Sequence, residues 1–155
     1  MRSIVHRKLL ALLGTAILVA AVTNAVSPRG IPWRDPFGQG LRARAALAGL
    51  VPVDLEAVRA LLKNPEMIVL DSRPRDEFGF GRLPGARSLP WADVEGGRGT
   101  PLSKEHPILV YCANEFCESS LRLGEWLRSK GYRDVALFID GYEAWWNAKG
   151  PVDQD

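Results

Sequence analysis

Three short apolar runs constrain the fold of this chain more than any other feature. They read MIVLD, ILVYC and VALFI and end at residues 71, 112 and 139. Each run is apolar at consecutive positions rather than at every second one, which is typical of strands buried on both faces. The segments between the runs have helical patterns. Strands joined by crossover helices predict an α/β fold, with a mainly parallel sheet and helices on both faces.

Signals for helix ends and turns lie between these runs. Asp54 is a predicted N-cap for an apolar helical stripe, and Asn64-Pro65 ends that stripe. Asp71 and Cys112 each end a predicted strand, and the carboxyl ends of parallel strands form the functional edge of such sheets. The other predicted elements are helices over residues 41–50, 75–80, 119–131 and 141–150, and a short strand over residues 86–89.

The charge distribution argues against a nucleic-acid-binding protein. The chain has 155 residues, and its formal net charge is +2. The positive excess lies at the N-terminus, since residues 45–155 hold 13 Lys and Arg against 17 Asp and Glu. The domain is therefore mildly acidic and has no basic stripe to neutralise phosphates. We expect no nucleic-acid partner.

The N-terminal region predicts an anchor or signal segment over residues 1–28. Residues 9–28 contain no charge and follow Arg2, Arg7 and Lys8. At about 1.5 Å per residue, such a helix spans a hydrocarbon core of roughly 30 Å, with the basic residues on the cytoplasmic side. This predicts a single-pass helix in the cytoplasmic membrane, with the domain on the periplasmic, exported side. Small residues near its end leave signal cleavage and secretion open as the alternative.

The remaining chain divides into a linker and a domain. Residues 29–50 begin with many Pro and Gly residues and predict the linker, and residues 51–155 form the predicted domain. An exported domain lies in an oxidising compartment, where a disulfide between its two cysteines is chemically permitted.

Those cysteines, Cys112 and Cys117, bracket the connection between a predicted strand and a predicted helix, which we call the cysteine loop (residues 112–118). A thiol there lies near outward-pointing backbone N–H groups and the positive end of a helix dipole, so its thiolate form is favoured. The alternative is that Cys112 is simply a small buried apolar residue at the end of a strand.

The order of motifs resembles the rhodanese family over Val53 to Val152. The segments that carry the resemblance are VLDSRPRDEFGFGRLPGARSLP, ILVYC with its loop, and LRSKGYRDVALFIDGYEAWWNAKGPV. The matching positions are Asp71 and Arg73 for the Asp-x-Arg element, Pro84-Gly85-Ala86 for the turn, Cys112 for the nucleophile, and Gly141 and Trp145 for the closing motif. The resemblance implies sulfur transfer, in which a thiolate takes a sulfane sulfur as a persulfide and passes it to an acceptor.

The chain also departs from the family pattern in the cysteine loop. Family members active on thiosulfate commonly have an Arg five positions after the nucleophile, and here that residue is Cys117. Glu115 and Glu118 lie near the thiol, where carboxylates disfavour a thiolate and repel an anionic donor. The resemblance therefore implies a membrane-anchored sulfurtransferase with a C-x4-C loop, for which thiosulfate is a poor donor.

These considerations predict a site with two cysteines and no cofactor or metal. Cys112 is the predicted nucleophile, and Cys117 resolves a persulfide or sulfenate on it through a reversible disulfide. The expected partners are a small sulfur donor or acceptor thiol, the membrane through the N-terminal helix, and a protein of unknown identity. The predicted substrate-binding residues are Asp71, Arg73, Ala113, Asn114, Glu115, Phe116 and Glu118.

Two alternatives stay open at this point. Asp71 and Arg73 are better suited to forming an ion pair that orders the end of a strand than to contacting a substrate directly. The whole domain, in turn, fits a non-catalytic binding module in which the Cys112–Cys117 disulfide only holds the loop closed.

Overall fold

The computed structural model describes residues 2–26, 39–99 and 102–155. The chain forms two compact units, residues 1–35 and residues 36–155. The first unit contains helix α1 (Arg2–Val26). Within it, the hydroxyl groups of Thr15 and Thr23 donate to the carbonyl oxygens of Leu12 and Val19, at 2.9 and 2.8 Å.

The predicted transmembrane helix is not found. Among residues 2–26, 39–99 and 102–155, no helix combines the length and the hydrophobicity that crossing a membrane requires. The α1 helix covers residues 9–26 of the charge-free run, among them Gly14, Thr15, Thr23 and Asn24.

The second unit is an α/β domain around a five-stranded sheet in the order β1-β5-β4-β2-β3. All neighbouring strands are parallel, which confirms the predicted fold class. The elements are α2 (Gln39–Leu47), β1 (Val51–Val53), α3 (Leu55–Leu61), β2 (Ile68–Asp71), α4 (Arg75–Phe80), β3 (Arg87–Ser88), α5 (Trp91–Glu95), β4 (Ile108–Tyr111), α6 (Ser119–Ser129), β5 (Val135–Phe138) and α7 (Gly141–Asn147).

The apolar runs form strands because both of their faces are covered. In the central strand β4, Ile108 and Val110 pack into one hydrophobic cluster, and Leu109 and Tyr111 pack into another. Residues of α2, α5 and α6 contribute to the first cluster, and residues of α3, α4 and α7 to the second. Burial on both faces accounts for consecutive apolar residues where a half-exposed strand would alternate.

Local signals set the ends of two helices. The Asp54 carboxylate accepts a hydrogen bond from the backbone N–H of Ala57 at 2.9 Å, which confirms the predicted N-cap of α3. Gly131 follows α6 with a φ of +91°, a conformation that L side chains rarely adopt. These two signals were readable from the sequence because they act within a few residues.

The described part of the predicted linker packs with the domain. Helix α2 buries Ala45 completely, and Leu50 is 3% exposed. A Cβ atom on Gly124 of α6 would lie 2.9 Å from the Leu50 side chain, so α6 packs closely against the residues that follow α2. Residues 39–50 are thus part of the same core as the sheet.

Candidate active site

The cysteine loop begins at the carboxyl end of the central strand. In the sheet register, Tyr111 of β4 is the partner of Asp71 in β2 and of Phe138 in β5. Cys112 follows Tyr111 directly, so it emerges between the ends of these two neighbouring strands. This is the edge where parallel sheets carry their functional residues, as the sequence predicted.

Cys112 and Cys117 form a disulfide. Their Cα atoms are 6.1 Å apart, within the range of about 4.4–6.8 Å that such bonds require. Cys112 is only 2% exposed, whereas Cys117 is half-buried. The predicted bond is confirmed, and its reversibility stays a prediction. In this oxidised form, Cys112 is not a free nucleophile.

Asn114 organises the turn between the cysteines. Its backbone carbonyl oxygen accepts a hydrogen bond from the N–H of Cys117 at 3.1 Å, and its side-chain oxygen accepts one from the N–H of Phe116 at 3.2 Å. Its amide nitrogen donates to the Glu143 carboxylate at 3.2 Å. Asn114 therefore shapes the loop and ties it to α7. The Phe116 side chain is 60% exposed, and the substrate-binding role predicted for residues of this loop stays a prediction.

The first residues of α7 hold the backbone at Cys112. The N–H groups of Tyr142 and Glu143 donate to the carbonyl oxygens of Cys112 and Ala113, both at 2.9 Å. Gly141 precedes them with a φ of +68°. A Cβ atom there would lie 2.6 Å from the Cys112 carbonyl oxygen. The glycine of the closing motif is therefore required by a close approach of two backbone segments.

Two arginines bind the acidic residue that ends the loop. The Glu118 carboxylate lies 2.8 Å from the Arg44 guanidinium and 3.6 Å from that of Arg122. The hydrogen bond and charge of Arg44, assisted by Arg122, lower the pKa of Glu118. From the sequence we expected Glu118 to repel anions, but its charge is offset by these cations. Glu115 remains as the other carboxylate of the loop, half-buried.

The α2 arginines were not predicted as part of this region. Arg44 is 74 positions from Glu118 in the sequence, and Arg42 is 98 positions from its own partner, Asp140, at 2.5 Å. No local pattern links residues so far apart. Only the packing of α2 against α6 brings Arg44 to the cysteine loop.

Beside the loop lies a buried ion cluster of Asp71, Arg73 and Tyr111. Asp71 is fully buried, and Arg73 is 4% exposed. A guanidinium nitrogen of Arg73 lies 2.5 Å from the Asp71 carboxylate and donates to the Gly81 carbonyl oxygen at 2.7 Å. The Tyr111 hydroxyl donates to the same carboxylate at 2.6 Å. The cluster joins the ends of β2 and β4.

Electrostatics raise the pKa of both hydrogen-bond donors in this cluster, Arg73 and Tyr111. Burial pushes the pKa of Arg73 down, but the hydrogen bonds and charge of Asp71 outweigh it and raise that pKa. Burial, together with the Asp71 charge, also raises the pKa of Tyr111 well above its ordinary value. Arg73 and Tyr111 therefore stay protonated, and both donate to Asp71. This is the geometry of an ion pair that orders the strand end, and a substrate-binding role for the pair stays a prediction.

Tyr142 connects the buried ion cluster with the cysteine loop. Its ring centroid lies 4.2 Å from the Arg73 guanidinium carbon, and its backbone N–H donates to Cys112. A guanidinium over an aromatic face is a favourable contact when it is removed from water. Tyr142 was missed as a site residue, although the Gly-Tyr pair after a buried strand was a visible signal.

The residues described contain no group of three or more His, Cys, Asp or Glu side chains arranged to hold a metal ion. The described site contributes the chemistry of its two cysteines. The oxidised loop can accept electrons from a thiol, and the reduced loop can present Cys112 as a nucleophile.

Comparison with known proteins extends this picture. A model of the rhodanese-like domain matches residues 54–148. The chain is 32% identical over 89 residues to the HTH-type transcriptional regulator Rv0324 of Mycobacterium tuberculosis, a match that covers 57% of this chain but only 38% of that regulator. It is 28% identical over 85 residues to the thiosulfate sulfurtransferase GlpE of Coxiella burnetii, covering 55% of this chain and 77% of that enzyme.

Among solved structures, the Alr3790 protein from Anabaena sp. superposes with a TM-score of 0.58 at 28% identity. The match covers 66% of this chain and 80% of the Anabaena chain. The family match lies within the second compact unit, residues 36–155, and includes both cysteines.

Proposed function

Because this chain belongs to the rhodanese-like domain family, we propose that its reduced form transfers sulfur through Cys112. The observation that carries the proposal is the position of Cys112, directly after the central strand and at the start of the loop that leads to α6. A relative of this chain is a thiosulfate sulfurtransferase, which supports the reaction class. In the proposed reaction, the Cys112 thiolate attacks a sulfane sulfur and holds it as a persulfide until an acceptor removes it.

Features around the loop favour the thiolate over the thiol. The N-terminus of α6, a helix of 11 residues, lies just after the loop and contributes a positive dipole end. Arg44 and Arg122 together offset the charge of Glu118. Burial of Cys112 acts in the opposite direction, since it disfavours any charged form. Reactivity therefore depends on the loop being open enough to admit the donor.

Cys117 couples sulfur transfer to thiol chemistry in this proposal. After the persulfide forms, the Cys117 thiolate attacks the Cys112 sulfur and the outer sulfur leaves as hydrosulfide. The disulfide is then regenerated, and two thiols are needed to reduce it before another cycle. The bond between Cys112 and Cys117 is compatible with this sequence of steps.

The preferred donor in this proposal is less charged than thiosulfate. Cys117 occupies the position where thiosulfate-active relatives have an Arg, and Glu115 adds a carboxylate to the loop. The penalty is smaller than the sequence suggested, because Glu118 is paired with two arginines. We expect slow but measurable transfer from thiosulfate and faster transfer from a small persulfide.

The proposed place of action is an exported, oxidising compartment. The charge-free N-terminal run after three basic residues and the disulfide support it. Cell fractionation with thiol trapping tests this location. A disulfide-bonded protein in the exported fraction agrees with the proposal, and a reduced protein in the cytoplasm contradicts it.

A second candidate function is a non-catalytic binding module. The observation that favours it is the bond itself, which joins the predicted nucleophile to Cys117 while Cys112 is only 2% exposed. In this case the disulfide is a permanent staple, and the surface of the domain binds a partner.

Mass spectrometry of the full chain separates the two functions. The protein is reduced, freed of reductant and exposed to thiosulfate or to glutathione persulfide. Sulfur transfer predicts a gain of one sulfur atom on Cys112, absent in Cys112→Ser and longer-lived in Cys117→Ser. A reduced protein that gains no sulfur on Cys112 from either donor contradicts the proposed function and favours the binding module.

A further inference from the structure

The two bonded sulfurs of the cysteine loop differ strongly in access. Cys112 is 2% exposed and ends a strand whose four residues are all buried. Cys117 is half-buried and follows Phe116, whose side chain is 60% exposed. A thiolate opens a disulfide by attacking one of its two sulfurs, and access is one of the factors that decide which. Cys117 is thus the more accessible of the two bonded residues.

The backbone hydrogen bonds of the two cysteines also differ. The carbonyl oxygen of Cys112 is held by Tyr142, and Gly141 leaves no room between the two segments. A movement that exposed Cys112 would have to break this contact. On the other side, the described backbone bond of Cys117 goes to Asn114 within the same turn. The backbone N–H of Cys117 is thus bonded within its own turn, whereas the carbonyl oxygen of Cys112 is bonded across to α7.

Charge does not oppose the approach of an anionic thiolate on the Cys117 side. Glu118, the next residue, carries one negative charge and is paired with both Arg44 and Arg122. The two guanidinium groups balance two carboxylates, that of Glu118 and that of Glu115 in the same loop. An incoming thiolate therefore meets no net negative formal charge at this end of the loop.

We infer that a thiol reductant opens this disulfide by attack on the sulfur of Cys117, releasing Cys112 as the thiolate. A bond forms between the reductant sulfur and Cys117, and the Cys112–Cys117 bond breaks with its electron pair on Cys112. A second thiol then attacks the reductant sulfur, so Cys117 leaves as a thiolate and the two reductant sulfurs become joined. Two thiols are oxidised, one protein disulfide is reduced, and the two thiol protons go to solvent.

This route makes the half-reduced protein, in which one reductant molecule is bound to Cys117, competent to react at Cys112. While the first reductant molecule remains on Cys117, Cys112 is a thiolate and no Cys117 thiolate exists to attack a persulfide formed on it. The inference rests on the proposed function only in this respect, that the freed Cys112 is the thiolate that accepts sulfur. A monothiol such as glutathione would then activate the site without reducing it fully.

Adduct mapping tests the direction of attack. The oxidised full chain is mixed briefly with limiting glutathione, quenched in acid and alkylated with a maleimide. Glu115 lies between the cysteines, so a Glu-specific protease separates them for mass spectrometry. We expect glutathione on Cys117 and the alkyl group on Cys112, in at least roughly tenfold excess over the reverse pattern. Glutathione on Cys112, an even distribution, or no adduct on either cysteine overturns the inference.

The same protein in guanidinium chloride is the matched control. Unfolding exposes both sulfurs, so the two adduct patterns should become nearly equal if the fold sets the direction of attack. An equal preference in folded and unfolded protein also overturns the inference. A sulfane-sulfur donor added to a parallel sample of the glutathione adduct, neither quenched nor alkylated, tests the function separately. A Cys117 adduct that takes up no sulfur on Cys112 contradicts sulfur transfer and leaves the direction of attack intact.

Discussion

The buried ion cluster and the cysteine loop lie side by side at one edge of the sheet but are held in opposite ways. The cluster is joined by hydrogen bonds and an ion pair among side chains that are almost fully buried. The loop is closed by one bond that a thiol can break and by an ion pair, Arg44 with Glu118, whose side chains are nearly half exposed. Exposed pairs contribute little to stability, whereas a buried charge is costly to leave unpaired.

This contrast suggests a division of roles at the site. The permanent interactions fix the ends of β2 and β4, and the reversible ones operate on that fixed base. A change in the oxidation state of the loop should therefore leave the domain folded. Variants in the two regions test this division, and the largest loss of unfolding free energy is expected in the buried ion cluster.

Loss of Arg73 should be the most damaging change. Arg73→Met leaves the Asp71 charge buried with Tyr111 as a remaining donor, and breaking a buried pair costs about 3–5 kcal/mol of unfolding free energy. Urea unfolding measures the loss. Arg75→Met is the matched control, since Arg75 lies two residues away with a side chain that is 70% exposed. Equal losses of unfolding free energy in the two variants would show that the buried ion cluster stabilises the domain no more than an exposed arginine does.

Gly141→Ala should come next, and Gly85→Ala provides its control. The two glycines have φ values of +68° and +70°, so an alanine at either site pays a similar backbone cost of about 1–2 kcal/mol. Only at position 141 would the new Cβ also meet the Cys112 carbonyl oxygen, while nothing lies within 4 Å at position 85. Urea unfolding should therefore show a clearly larger loss for Gly141→Ala. Equal losses would mean that α7 does not hold the base of the loop.

Opening the disulfide should have a smaller effect on stability. Closure of so short a loop contributes at most about 2 kcal/mol in the chain-entropy model. Cys117→Ser and wild-type protein in dithiothreitol should lose similar amounts in thermal unfolding, and dithiothreitol should not affect Cys117→Ser. A reduced wild type that unfolds at room temperature would show that the bond belongs to the permanent part of the structure.

The smallest effect concerns the charge of Glu118. Arg44→Gln should raise the pKa of Glu118 toward its ordinary value in an NMR titration, and Arg122→Gln should raise it less because that contact is longer, 3.6 Å. A carboxylate with a lowered pKa stabilises the fold above its ordinary pKa, and the contribution is lost as pH falls through the folded value. The stability difference between wild type and Arg44→Gln should therefore vanish in acid. A difference that persists there would indicate packing rather than charge.

The sequence predicted those parts of this site that depend on local patterns. The buried strands, the Asp54 cap and the position of Cys112 follow from runs of a few residues, and the structure has them where they were expected. Strand β1 and helix α5 were not predicted. Strand β1 has only three residues, one of them a proline, and helix α5 has only five, so both are too short to carry a periodic signal.

Long-range pairing explains what could not be predicted. Arg44 meets Glu118 only because α2 packs on α6, and no pattern in either segment encodes that contact. The contact between Tyr142 and Arg73 depends in the same way on the order of the strands. The sequence therefore indicated which residues are chemically able to act but not which cations lie beside them.

The position of α2 has a practical consequence for producing this domain. The family match begins at residue 54, but the compact unit begins at residue 36. A fragment that begins at residue 54 would lack Leu50, which packs against Gly124. Part of the apolar surface of α6 would then be exposed to solvent. The fragment would also lack β1, which would turn β5 into an open edge strand able to pair with other copies. Recombinant fragments should begin before Gln39 to avoid aggregation.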